Sequence, residues 1–248
     1  GSTGYSLPMQ APNAAVEQST LQFHRPILTS RGAPGDRTGG GSRDGITCSA
    51  FEHISSEDHL TALVPEQTDA NQISQVWALT TASSPVFWFY VPYLPSDIDQ
   101  VQFELWDETL PNPRTYHQIY QGSVTIDNTP GIIHLPLPQS VQLEPDRYYH
   151  WYLSVSLDCH PQDETVVVNG WIQRVTETMT ASTVLREQAI ASAENGIWQD
   201  ALTILAQLRS QNPDDEGLMA DWQALLAAVG LEDLDAYPLL PCCSLKTP

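Results

Sequence analysis

The fold turns on Leu143-Glu144-Pro145-Asp146-Arg147-Tyr148-Tyr149-His150-Trp151-Tyr152-Leu153-Ser154-Val155-Ser156-Leu157. From Tyr149 the apolar side chains fall on alternate positions: Tyr149, Trp151, Leu153, Val155 and Leu157. Side chains alternate across a strand, so Arg147–Leu157 reads as a strand with one face against a core. Glu144-Pro145-Asp146 ahead of it has turn chemistry.

Working outward, the same period-2 pattern recurs from Val76 to Val175. Further strands are expected at Val76–Ala82, Val86–Tyr93, Gln100–Asp107, Tyr116–Ile126, Gly131–Leu137 and Thr165–Val175, with a weaker one near Ile46–Phe51. Val101, Phe103 and Leu105 share one face of their strand, opposite Gln102 and Glu104. Turn residues such as Pro111-Asn112-Pro113 and Asn128-Thr129-Pro130-Gly131 separate the strands. Short strands at this spacing predict a mainly β sandwich or barrel. The stretch Leu143–Tyr148 resembles the tyrosine corner of immunoglobulin-like and fibronectin-like sandwiches, where a tyrosine hydroxyl ties down the turn before strand F. That resemblance implies that Arg147–Leu157 is strand F and Thr165–Val175 strand G, with Cys159 between them.

After Thr176 the period changes. Helices are expected over Thr180–Glu194, ending at Asn195-Gly196, and over Ile197–Ser210. A third starts at Asn212-Pro213-Asp214-Asp215-Glu216, with an Asn cap, proline at the first position and acidic residues at the positive dipole end. Ala201, Leu205 and Pro213 are spaced like part of one tetratricopeptide unit, which cannot bury its own apolar face. The helices are therefore expected to dock on the sandwich. Phe87-Trp88-Phe89-Tyr90 is apolar on both strand faces. Trp88 and Tyr90 are expected either beneath the helices or on an exposed surface that stacks on sugar rings.

Arg31-Gly32-Ala33-Pro34-Gly35-Asp36-Arg37-Thr38-Gly39-Gly40-Gly41-Ser42-Arg43-Asp44-Gly45 cannot fold on its own. No Gly-Lys-Ser/Thr follows its glycines, and neither a strand before it nor a helix after it is expected, so a phosphate-loop or dinucleotide reading fails. It reads as a tether, with an ordered contact through Arg31, Arg37 and Arg43 as the alternative. The arm it carries has a single strand-like stretch, Thr20–His24, with Leu21 and Phe23 alternating. Such a strand is expected either to fold back on its own chain or to add to an open edge of a neighbouring copy. The organisation is thus an arm (1–30), a linker (31–45), the sandwich (46–176), helices (177–232) and a tail (233–248).

The net charge of −20 and pI near 4.3 disfavour nucleic acid and anionic lipid as partners. No stretch is long and apolar enough for a membrane span. Gly1-Ser2 reads as the product of signal-peptide removal or as a cloning remnant. Cys48 and Cys159 are candidates for a disulfide and hence an oxidising compartment. Cys242-Cys243 pair with each other, cross-link chains or stay reduced. None of the seven histidines has metal-pair spacing, and Asp158–Glu164 departs from a calcium loop. His134 and His150 are expected on solvent-facing strand positions. No GxSxG elbow or other catalytic constellation is present, so no catalytic residue, metal or cofactor is assigned.

Several blocks carry a wider resemblance: the glycine-arginine run before Cys48, Thr61-Ala62-Leu63-Val64-Pro65, Phe87-Trp88-Phe89-Tyr90-Val91-Pro92, Gly131-Ile132-Ile133-His134-Leu135-Pro136, Gly170-Trp171-Ile172-Gln173-Arg174-Val175 and Gly196-Ile197-Trp198. From about Arg31 to Leu240 the chain resembles an exported cyanobacterial family known only as a domain of unknown function, family nine hundred twenty-eight. The resemblance implies an extracytoplasmic, envelope-associated protein and brings no catalytic residue. The expected role is structural: self-association into an oligomer or filament through the N-terminal arm. The alternative is a module that binds a glycan or an envelope protein.

Overall fold

Phe103, Leu105, Trp151 and Leu153 meet Phe87 and Phe89 in a buried seam between two sheets. The computed structural model describes residues 20–29, 31–39, 48–159, 162–177, 182–241 and 243–246. After a short helix α1 (Ser49–Glu52) come β1 (Thr61–Ala62), β2 (Glu66–Thr68), β3 (Ser74–Thr80), β4 (Val86–Val91), β5 (Ile98–Asp107), β6 (His117–Val124), β7 (Gly131–Pro136), β8 (Tyr149–Leu157) and β9 (Glu164–Arg174). Helices α2 (Leu185–Glu194), α3 (Trp198–Gln211) and α4 (Glu216–Ala227) follow. The strands expected from alternation are β3 to β9, each end within two residues of its expected place. The weak candidate at Ile46–Phe51 is corrected: Ser49–Phe51 belong to α1, and Ile46 and Thr47 lie outside the described residues.

The larger sheet has the order β2-β3-β9-β8-β5-β6, the smaller β1-β4-β7. All pairs are antiparallel except β3 with β9. Phe87 packs on Phe103 at 4.8 Å and Phe89 on Trp151 at 5.5 Å, so the sheets face each other through β4, β5 and β8. Gly170 sits inside that seam. A Cβ there would lie 2.6 Å from both Trp151 and Val76, which explains why the inner face of β9 has no side chain at this point.

The corner before β8 is tied by Tyr149, not by the Tyr148 of the stretch read as a tyrosine corner, whose hydroxyl donates to Thr29 Oγ1 instead. The Glu144 N–H donates to the Tyr149 hydroxyl at 2.8 Å. Asp146 takes the left-handed conformation (φ 62°), which aspartate tolerates. Its N–H donates to Arg174 O, while the Arg174 guanidinium donates to Leu143 O. The corner is thereby fastened to the end of β9.

Two contacts seat the helices on the smaller sheet and a third ties them to the end of β3 in the larger one. The Trp88 indole donates to Thr203 Oγ1 at 2.9 Å and the Trp198 indole to Leu63 O at 3.0 Å. Asp200 accepts from Thr80 Oγ1 at 2.7 Å and from the Thr81 backbone. The helix pair is thus a third layer over the outer face of β4. Cys48 and Cys159 are joined by a disulfide, which ties α1 to the end of β8. Beside it His53 Nδ1 lies 2.7 Å from Asp97 Oδ2, and that hydrogen bond raises the His53 pKa.

The disulfide closes a loop with a sequence separation of 111. In the chain-entropy model such a loop contributes about 4–5 kcal/mol. A Cys48→Ser/Cys159→Ser chain is therefore expected to unfold at a clearly lower urea midpoint with an unchanged native circular dichroism spectrum. An unchanged midpoint contradicts the tie between α1 and β8.

Candidate functional site

The glycine-arginine segment is a strap rather than a tether over its described part, 31–39. It lies where β3 and β9 diverge beyond the Trp77–Trp171 pair. The Val76 N–H donates to Ala33 O and the Gly35 N–H to Ser74 O, while Asp36 and Asn169 exchange both backbone bonds. Further on, Ala62 donates to Arg37 O and Gly39 to Leu60 O. One segment thus joins β3, β9 and the smaller sheet. Glycine and proline leave the backbone close enough for this: a Cβ on Gly35 would stand 2.7 Å from Asn169 O.

Two arginines clasp the strap. The Arg31 guanidinium donates to the carbonyls of Thr109 and Glu108. It also lies 4.6 Å over the Tyr148 ring and 5.6 Å from the Trp171 ring. Arg37 donates to Val229 O at 2.7 Å and sits 3.3 Å from the Glu66 carboxylate. Burial lowers the Arg37 pKa, and Glu66 opposes that shift. Arg43, the third arginine of the expected contact, lies outside the described residues.

The arm proper also lies on its own chain. Thr20–His24 is not a strand, which corrects the expectation from its alternation. Instead Leu21 is buried, Phe23 meets Trp198 edge-on at 5.1 Å, and the His24 N–H donates to Ala193 O. The helix layer offers these residues ring contacts and a single carbonyl, so side-chain packing takes the place of pairing. Gly196, between α2 and α3, has φ 75° and admits His24 O, which a Cβ would meet at 2.8 Å. Residues 1–19 of the arm lie outside the described residues.

Under the strap is a polar core that alternation alone misplaces. His150 stands on the outer side of β8, yet it is buried rather than solvent-facing. Its ring stacks on Trp171 at 4.2 Å and on Tyr152 at 4.3 Å. Nε2 is 2.8 Å from Asn169 Oδ1, and Nδ1 is 3.1 Å from the Tyr152 hydroxyl. Glu108 Oε2 approaches Nδ1 to 2.7 Å with no donor aligned on it. Both ring nitrogens are engaged, so the arrangement is that of a structural core held by stacking. Among the described residues no group of three or more His, Cys, Asp and Glu could hold a metal ion.

Trp88 and Tyr90 are only 6 % and 2 % exposed. They do not form an exposed stacking platform, because α3 covers Trp88 and Tyr237 covers Tyr90 at 4.2 Å between rings. The edge of Trp88 and His134, 5.2 Å apart, instead line a cleft of about 810 Å³. The cleft lies between the smaller sheet, the end of α3 and Pro238–Pro241. These tail residues run beside β7, where Ile132 donates to Pro238 O and Leu240 to Ile132 O. Cys243 follows them and is disulfide-bonded; Cys242 lies outside the described residues.

Both sheets, the helices and the first part of the tail coincide with a match to one family model, Domain of Unknown Function (DUF928), over residues 38–239. The chain belongs to that family. The match opens at the end of the strap, so Leu21, Phe23, Arg31 and Arg37 lie ahead of it. No curated protein and no solved structure matches the chain.

Burial holds the His134 pKa below its ordinary value, against a hydrogen bond involving Leu240 that raises it. The folded state therefore favours the neutral ring, and stability falls as pH drops from about 6.5 through the folded-state pKa. The stability of the native chain minus that of His134→Gln is expected to decrease from pH 7 to pH 5 in urea titrations. A difference independent of pH contradicts the burial of this ring against the tail.

Proposed function

We propose that the protein is a non-catalytic, extracytoplasmic assembly protein whose N-terminal arm is exchanged between copies. The observation that carries this reading is the strap itself. It occupies a slot one strand wide between β3 and β9 and uses backbone hydrogen bonds on both sides. A slot of this kind is satisfied equally by the strap of its own chain or of a neighbour. Exchange in one direction is a heterologous contact that need not close, which gives filaments. Other edges support the choice of this slot: Thr38 partly occupies β1, and Leu239 lies beside β7.

An oxidising location is supported by the Cys48–Cys159 disulfide, and no helix among the described residues is long and apolar enough to cross a membrane. An immunoglobulin-like sandwich is supported by the strand order. With β4, β5, β7, β8 and β9 taken as B, C, E, F and G, B lies beside E and C-F-G are adjacent. The tie from Tyr149 then stands at the start of F. A cyanobacterial envelope setting rests on the sequence resemblance.

Thr38 and Thr61 are bridge partners, so a Thr38→Cys chain mixed with a Thr61→Cys chain reports on exchange. Mild oxidation after co-incubation is expected to give covalent heterodimers on a non-reducing gel, and light scattering of the native chain a mass above the monomer. A monomeric mass with no heterodimer contradicts arm exchange.

A further inference from the structure

We propose that the open half of the outer face of the larger sheet, centred on Trp106 and Tyr152, binds a neutral polysaccharide. This goes beyond the assembly reading and does not depend on it.

The sheet register places these side chains together. Glu104 stands opposite Tyr152 and Gln121, Trp106 opposite His150, Gln102 opposite Ser154 and Ser123, and Tyr152 opposite Asn169. Trp106, Tyr152, Gln102, Gln121 and Ser154 are all half-buried, each on a rigid strand with part of its side chain in solvent. Glu104 is the one carboxylate among the outward positions from Gln102 to Trp106, Gln121 to Ser123 and Tyr152 to Ser156. That is unusual on a chain with 30 acidic and 10 basic residues. The net charge of −20 repels a polyanion, and a cationic partner would find a single carboxylate here. What remains is a ligand without charge.

The chemistry of the face fits one rich in hydroxyl groups. Glutamine amides and serine hydroxyls both donate and accept, as sugar hydroxyls do. Tyr152 is held by the His150 stack and by its hydroxyl contact to Nδ1. Burial, reinforced by Glu108 and Glu104, lifts its pKa to about 12, so the phenol stays protonated; with its O–H turned to Nδ1, its oxygen is left to accept from a ligand hydroxyl. Trp106 adds a flat apolar ring with a polar edge, which suits the apolar face of a sugar. The covered half of the same face shows the pattern already satisfied within the chain. There the Trp171 indole donates to Pro34 O at 2.9 Å, and the planar Arg31 guanidinium lies over the rings. A stacking group together with an acceptor is what the arm supplies to that half. The open half offers the same combination to a ligand.

The test is affinity electrophoresis of the full chain in gels containing hydroxyethyl cellulose or dextran, both neutral, or alginate, a polyuronate. Retardation is expected in at least one neutral gel and none in alginate. Trp106→Ala is expected to weaken binding about tenfold, and Ser154→Asp, which places a second carboxylate beside Glu104, by a similar factor. Thermal melts identify any variant that fails to fold; a folded Ser154→Asp chain is sufficient for the comparison. No retardation of the native chain in either neutral gel overturns the proposal. So does stronger retardation in alginate, or native mobility shifts in both folded variants. The cysteine cross-link between Thr38 and Thr61 variants decides arm exchange separately.

Discussion

Strand β4 has no polar side. Phe87 and Phe89 point into the seam against Phe103 and Trp151, and Trp88 and Tyr90 point the other way. Burying a large aromatic side chain is worth a few kcal/mol, and leaving a contiguous apolar face in water forfeits it. A two-layer sandwich therefore cannot satisfy this strand. The third layer is α3 with Tyr237 and the tail, and the tetratricopeptide-like pair gains in return the partner that a single repeat lacks.

The arm completes that layer. Phe23 and His24 engage Trp198 and Ala193 from outside, and Arg25 and Arg37 reach the carbonyls that follow α4. The strap then passes into the larger sheet between β3 and β9. Residues 20–29 and 31–39 thus link the helical layer, the smaller sheet and the larger sheet. Arg37 carries two of those links, to Val229 and to Val64.

Side-chain alternation made the seven longer strands legible. The start of α4 was legible only to within a few residues: Asp215, not Asn212, is its cap and accepts from the Leu218 N–H, while Asn212 closes α3 and Pro213 lies between the helices. β1 and β2 are too short to show a period. The strap was hidden for a different reason: its hydrogen bonds are made by the backbone, and glycines and prolines carry no hydrophobic pattern to read. His150 looked solvent-facing because Trp171, Asn169 and Glu108, which enclose it, are distant in sequence and meet only once β5, β8 and β9 are in register. The same register turns Gln102, Trp106, Tyr152 and Ser154 from separate outward positions into one uncharged surface. The arginines were legible as candidates for contact, but nothing local identified carbonyls and aromatic rings of the same chain as their partners.

The double-sided burial of β4 is tested most directly by native-state hydrogen exchange at the indole N–H groups of Trp88 and Trp198, which donate to Thr203 Oγ1 and Leu63 O. If the helices are a permanent third layer, both indoles exchange only with global unfolding, at the rate of the slowest amides of β8. Rapid exchange of the two indoles while the β8 amides stay protected would show a helical layer that lifts away independently, and would contradict the account.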